Sequence, residues 1–166
     1  MDPLRNADVS ERQRANVSAR PEGPADQQSV MVHLEGAPVM GRRGRWRRRV
    51  TQADFDRFAA VSGDDNPIHV DAAFAATTRW GRTLAHGMML YSVVVHLIRS
   101  ELLPGSVELE QDLVFPGPVF AGDELVIDAE VVNVDRELGR VEVRTRVMRG
   151  GDGVGCEGRT LVSADV

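Results

Sequence analysis

"HGMMLYSVVVHLIRSELLPG", residues 86–105, decides how this chain folds. From Met88 to Ile98 it is apolar on nearly every side of a helical wheel. It is far too short to cross a bilayer, which takes about 20 apolar residues. A helix that is apolar all round in a chain of ordinary composition belongs inside a core. The β-branched run Val93–Val95 lowers its intrinsic propensity, so packing has to hold it. Pro104 and Gly105 end it.

Downstream of that helix the apolar period changes from about four to two. Val107, Leu109, Leu113 and Phe115 open a strand region, followed by "LVIDAEVVNV" (125–134), "RVEVRTRVM" (140–148) and "GCEGRTLVSADV" (155–166). "VEVRTRV" alternates strictly, as a half-buried strand does. "FPGPVFAGD" (115–123), "DRELGR" (135–140) and "RGGDGVG" (149–155) supply turns. Upstream, "GRRGRWRRRV" (41–50) gives one more strand, its arginines suiting a solvated edge or a contact with phosphates. "TQADFDRFAAVSG" (51–63) is a helix, with Thr51 and Asp54 as a capping pair and Gly63 as its stop. "DAAFAATTRWG" (71–81) is a second, short helix capped by Asp71. The order is one strand, helices, then four strands in antiparallel meander style. A curved sheet wrapped around one buried helix satisfies it, an α+β architecture.

Composition bounds the rest. The chain has 166 residues, 42% apolar and 27% charged, enough for one domain with a core. Residues 1–38 are polar and aperiodic and are expected to be a disordered tail, with a weak strand at Val30–Leu34; the domain is expected over 39–166. All twenty basic residues are arginine, which excludes lysine Schiff-base and P-loop chemistry. Residues 1–49 hold ten arginines against six acids, and residues 50–166 ten against nineteen. The acidic bulk argues against nucleic-acid binding. With no apolar run of signal length and one cysteine, Cys156, a cytoplasmic protein is expected, without membrane association.

The chemistry sits in "SGDDNPIH" (62–69), which starts where the first helix stops. Pro67 drives Asn66 into an extended conformation, so Asp64–His69 is expected to be an ordered, non-helical turn. A carboxylate only accepts hydrogen bonds, while an imidazole accepts or donates. Held five residues apart in a rigid turn, Asp64 and His69 can share one water, deprotonate it and return a proton to a neighbouring carbon. Asn66 is expected to tie the turn to backbone groups. His86 shapes the entry to the buried helix and carries no assigned chemistry. His96 is expected in the core or an interface, and Cys156 has no activating neighbour in sequence. Asp64, Asp65, His69 and His86 lack the usual H-x-H or CxxC ligand spacings, so no metal is expected.

"DDNPIH", the downstream "HGM" at 86–88 and "FPGPVFAGD" resemble the MaoC-like, (R)-specific enoyl-CoA hydratase family of hot-dog-fold proteins. Asp64, Asn66, Pro67, Ile68, His69 and Ala75 match that family's signature, and the resemblance covers roughly residues 42–166. It implies a hot-dog fold. It implies a lyase that adds water to, or removes it from, the 2,3 double bond of an enoyl thioester, giving or consuming a (R)-3-hydroxyacyl thioester. Asp64 and His69 would be the catalytic pair, without a settled division into acid and base, and Asn66 and Pro67 their scaffold. The Gly87 N–H, at the positive end of the buried helix, would be the oxyanion donor. Acyl-CoA or an acyl carrier protein thioester is the implied substrate, with no cofactor, and a homodimer the implied assembly. Met88, Met89, Val93 and Trp80 are candidates to line the acyl tunnel. An acyl carrier protein dehydratase, a hot-dog thioesterase and a non-enzymatic acyl-binding subunit remain the alternatives.

Overall fold

A computed structural model describes residues 38–150 and 153–164; the expected tail over residues 1–38 and the weak strand at Val30–Leu34 lie outside them but for Pro38. Strand β1 (Arg43–Arg49) leads into helices α1 (Gln52–Ser62), α2 (Pro67–Val70), α3 (Ala72–Ala76) and α4 (Gly87–Leu97). A π-helical turn over Ile98–Leu102 extends α4, before strands β2 (Val107–Val114), β3 (Glu124–Asp135), β4 (Arg140–Arg149) and β5 (Gly153–Ser163). The five strands form one antiparallel sheet in the order β1-β3-β4-β5-β2.

The alternation seen in the sequence becomes the two faces of this sheet. Leu125, Ile127, Ala129 and Val131 of β3, Val141, Val143 and Val147 of β4, and Cys156 and Val162 of β5 are buried. They face Leu90, Val93, Val94 and Leu97 of α4, so the helix lies against the concave side of the sheet. Ile98 and Leu102 of the π-helical turn are equally buried, and the Leu103 N–H closes it on the Ile98 carbonyl at 2.6 Å. The β-branched run is thus held by packing rather than by propensity. The α+β, helix-in-sheet expectation holds, and the architecture is the hot-dog fold.

Three local expectations about the elements need correction. Only β3, β4 and β5 form a meander; β2 crosses to the far edge and pairs with β5. The long 115–123 connection makes this crossing feasible, because it spans the sheet rather than turning tightly. The second helix ends at Ala76 instead of running to Gly81, since Thr77 and Thr78 turn their hydroxyls onto the Phe74 and Ala75 carbonyls. His96 is exposed on α4, not in the core, with its ring 4.8 Å from that of Trp46. The sheet and α1 leave one stripe of α4 uncovered, in which Met88 is 54% exposed.

The arginine-rich strand keeps the first of its two readings, a solvated edge. β1 is a sheet edge, and register sets Arg43 opposite Glu130 and Arg45 opposite Asp128. Arg43 reaches Glu130 at 2.9 Å, Arg45 bonds Asp128 through two nitrogens, and Arg48 bonds Asp54 at 2.7 Å. These arginines are spent on acids of the same domain rather than free for phosphates. Exposed pairs of this kind contribute about 0–1 kcal/mol each. Their main effect is to charge an edge against unwanted pairing.

Candidate active site

The end of α1 delivers Asp64. Gly63 takes the left-handed conformation (φ 77°) and its N–H bonds the Ala59 carbonyl at 2.8 Å, so the helix stops there. The Ser62 hydroxyl accepts the Asp64 N–H at 3.2 Å while donating to the Phe58 carbonyl. The Asp64 side chain is left 54% exposed.

His69 is placed differently from the expectation of a non-helical turn. Pro67–Val70 forms a single helical turn, α2, with Asn66 as N-cap: its Oδ1 accepts the Ile68 N–H at 3.2 Å. Pro67 occupies the first helical position, where its fixed φ is preorganised and its missing N–H costs nothing. The proline that forces Asn66 out of the helical region also starts a helix after it. His69 therefore projects from a rigid turn, 15% exposed. Its Nδ1 lies 2.9 Å from the Leu84 carbonyl. A carbonyl only accepts, so Nδ1 carries the proton and Nε2 presents a bare lone pair. That Nε2 is 4.0 Å from Asp64 Oδ2.

Gln52 and Thr83, which no local pattern in the sequence singles out, complete the frame with His86, expected to shape the helix entry. The Gln52 amide donates to the His69 carbonyl at 2.9 Å, and the Thr83 hydroxyl donates to the Gln52 carbonyl oxygen at 2.6 Å. A glutamine inside a capped helix carries no local signal of such a role. His86, 1% exposed, is the N-cap of α4. Its Nε2 sits 2.9 Å from the Asp64 carbonyl, and its ring stacks on that of His69 at 3.9 Å between centroids and 28° between planes. Burial above all holds the His86 imidazole below its ordinary pKa; the adjacent His69 adds to this, against the raising effect of the bond to Asp64.

Gly87 follows directly as the first residue of α4. The first N–H groups of a helix have no intrahelical acceptor and lie at the positive end of its dipole. A Cβ at this position would lie 3.0 Å from the Phe115 ring, so glycine lets that ring pack close against the start of α4. Asp64 and His69 from one stretch of sequence, and His86 and Gly87 from another, meet at one place. Ligand atoms of Asp64, His69 and His86 lie within 4.8 Å of one another, a group with metal-binding potential from which Asp65 is absent. Asn66 and Pro67 act at one remove, by shaping α2.

Between α1 and α4 a cavity of about 320 Å³ is lined by Val50, Phe58, Val61, Met89 and Val93 together with Arg48, Asp54, Arg57 and Ser92, and none of the four site residues lines it. The Phe58 ring also contacts His86, at 4.9 Å. Of the residues expected to line an acyl tunnel, Met89 and Val93 reach this cavity. Met88 faces outward, and Trp80 lies under the Arg79 guanidinium. A larger hollow of about 800 Å³ is bordered by the charged pairs of the sheet, including Arg43, Asp128 and Arg144, and none of the four site residues lines it. Cys156 is buried and its thiol is pushed up to about 11 by desolvation, in keeping with an inert side chain.

The chain is similar to known proteins over most of its length. The family model described as "MaoC like domain" matches residues 34–150. The chain is 37% identical to the (R)-specific enoyl-CoA hydratase of Aeromonas caviae over 124 residues, 74% of this chain and 92% of that one. It is 33% identical to the 3-hydroxybutyryl-CoA dehydratase of Methylorubrum extorquens, across 70% of this chain and 74% of that one. Among solved structures, the (R)-hydratase from A. caviae involved in PHA biosynthesis superposes with a TM-score of 0.74 at 36% identity, covering 77% of this chain and 98% of that one. The unliganded R-hydratase of Pseudomonas aeruginosa gives 0.71 at 35% identity, covering 76% and 81%.

Proposed function

The chain belongs to the MaoC-like domain family, and on that premise we propose that it is a hydro-lyase acting on enoyl thioesters. It adds water across the 2,3 double bond of a trans-2-enoyl thioester to give a (R)-3-hydroxyacyl thioester, and runs in reverse as a dehydratase. One observation carries the reading: His69 Nε2 and Asp64 Oδ2, both acceptors, stand 4.0 Å apart. A water about 2.8 Å from each would see them at an angle of roughly 90°, near its own H–O–H angle. The pair thus orients one water with its lone pairs toward a third party, the β-carbon. It removes one proton from that water and returns one to the α-carbon, so the enzyme ends each turnover as it began. The thioester carbonyl, negative as the enolate develops, would take the Gly87 N–H.

The substrate is an acyl-CoA or acyl carrier protein thioester, and the reaction requires no redox cofactor because the thioester itself acidifies the α-carbon. The cavity beside Met89 and Val93 offers the acyl arm a wall of Val50, Phe58, Val61, Met89 and Val93, and Phe58 connects it to the His86 ring. The assembly we infer is a cytoplasmic homodimer. β2 is a sheet edge with exposed Val107, Leu109 and Val114, and Phe115 follows it. Such an edge invites a second strand. No helix among the described residues is long and apolar enough to cross a membrane.

The test is direct. Full-length protein is mixed with trans-2-enoyl-CoA substrates of graded length, then with the acyl carrier protein equivalents, and loss of the enoyl thioester absorbance is followed. Loss of absorbance without release of free thiol supports hydration. Thiol release would mark a thioesterase instead, and no change with any substrate would reject an enzymatic reading.

A further inference from the structure

His86 touches every other group of the site yet stands in none of the roles proposed above. We propose that it is the positioning residue that keeps Asp64, His69 and Gly87 in register; this rests on the proposed hydratase reading. Its imidazole Nε2 is 2.9 Å from the Asp64 carbonyl, which can only accept, so Nε2 carries the proton and donates. The ring lies on His69 at 3.9 Å and on Phe58 at 4.9 Å, so it is clamped from both neighbours. Its main chain caps α4 and passes straight into Gly87. One residue therefore sets the height of the carboxylate-bearing loop and the plane of the second imidazole through its side chain, and the start of the amide-presenting helix through its main chain.

The same contacts fix its proton. Nδ1 of His86 is buried and has no hydrogen-bond partner among the described residues. A bare nitrogen tolerates that position, whereas an N–H there would be a buried donor without an acceptor. A charged His86 would also press against His69 at stacking distance and oppose the uptake of a proton there. Neutral His86 leaves His69 Nε2 free to accept one. In this role His86 acts through its contacts with Asp64 and His69.

Two kinds of measurement test this. Long-range proton–nitrogen spectra of the full-length wild type at neutral pH are expected to show His86 as the Nε2–H tautomer and His69 as the Nδ1–H tautomer. His86→Phe keeps a flat ring against His69 and Phe58 but deletes the donor to Asp64. Its kcat is expected to fall by about 10²-fold, the scale of a small misplacement of reacting groups, with little change in KM. His86→Gln returns an N–H donor and is expected to recover about tenfold of that loss. A folded His86→Phe enzyme with wild-type kcat overturns the proposal. So does an Nδ1–H tautomer at His86 in an active wild type, a reading that needs no variant to fold. A wild type without hydratase activity rejects the proposed function and the positioning role with it, whereas a wrong tautomer in an active enzyme rejects the positioning role alone.

Discussion

Asp64 and His69 work on one water, and that has a kinetic signature. Asp64→Asn keeps shape and loses the negative charge; His69→Ala loses the imidazole. Each is expected to lower kcat by at least about 10²-fold, and the double variant to lose less than the two losses combined. Steady-state assays of the three variants on one enoyl-CoA check this; a near-wild-type single variant rejects the pair. His86 adds a pH signature of another kind. Its folded pKa lies below the ordinary value of 6.5. As pH falls through that value the unfolded chain takes up a proton that the folded chain refuses, so stability declines with falling pH. The decline ends once pH passes the lower, folded pKa. Urea midpoints of wild type and His86→Phe, compared between about pH 7.5 and 5.5, are expected to show a shallower slope in the variant. Parallel slopes would mean that His86 does not titrate below its ordinary range in the folded protein.

At the level of elements, caps decide where the chemistry points. α2 is four residues long, too short to persist alone, and is held at its start by Asn66 and Pro67. Asn66→Ala removes the cap, at a cost of about 1 kcal/mol, and is expected to lower both melting midpoint and kcat, because His69 rides on this turn. Thermal melts and initial rates on one preparation test the coupling; unchanged kcat with a lowered midpoint would separate the cap from the chemistry. The helices and strands were legible because local patterns specify them: the capping pair Thr51 and Asp54, the stop at Gly63, the strict alternation of β4. The Asp64–His69 proximity was legible through its short spacing. What was not legible depends on distant chain. Nothing local to β2 says that it pairs with β5 rather than β3, and nothing local to Gln52 or His86 says that each bonds a carbonyl of the "DDNPIH" loop. Pro67 misled in a narrower way, since its effect on the preceding residue is stronger in sequence reading than its fitness to begin a helix.

For the whole molecule, one buried helix carries the core. Leu97 is fully buried, and Leu97→Ala is expected to cost about 2–5 kcal/mol, read from urea unfolding. A loss under about 1 kcal/mol would show that the site collapses freely around the vacancy. Assembly is tested at the opposite edge of the fold. Light scattering is expected to give near twice the 18.2 kDa chain mass, and Leu109→Arg on β2 is expected to shift it toward a single chain. A wild-type monomer that still hydrates enoyl-CoA would reject the dimer. The buried Cys156 bears on all such work. The chain's one thiol lies under the sheet, held protonated at working pH. A colorimetric thiol reagent should therefore give a blank signal from the folded protein, so that coenzyme A set free by a contaminating or intrinsic hydrolysis is counted without subtraction. The same silence lets a single cysteine placed on the surface be the only point that takes a spin label or fluorophore, and probe distances between protomers can then be measured on the otherwise natural chain.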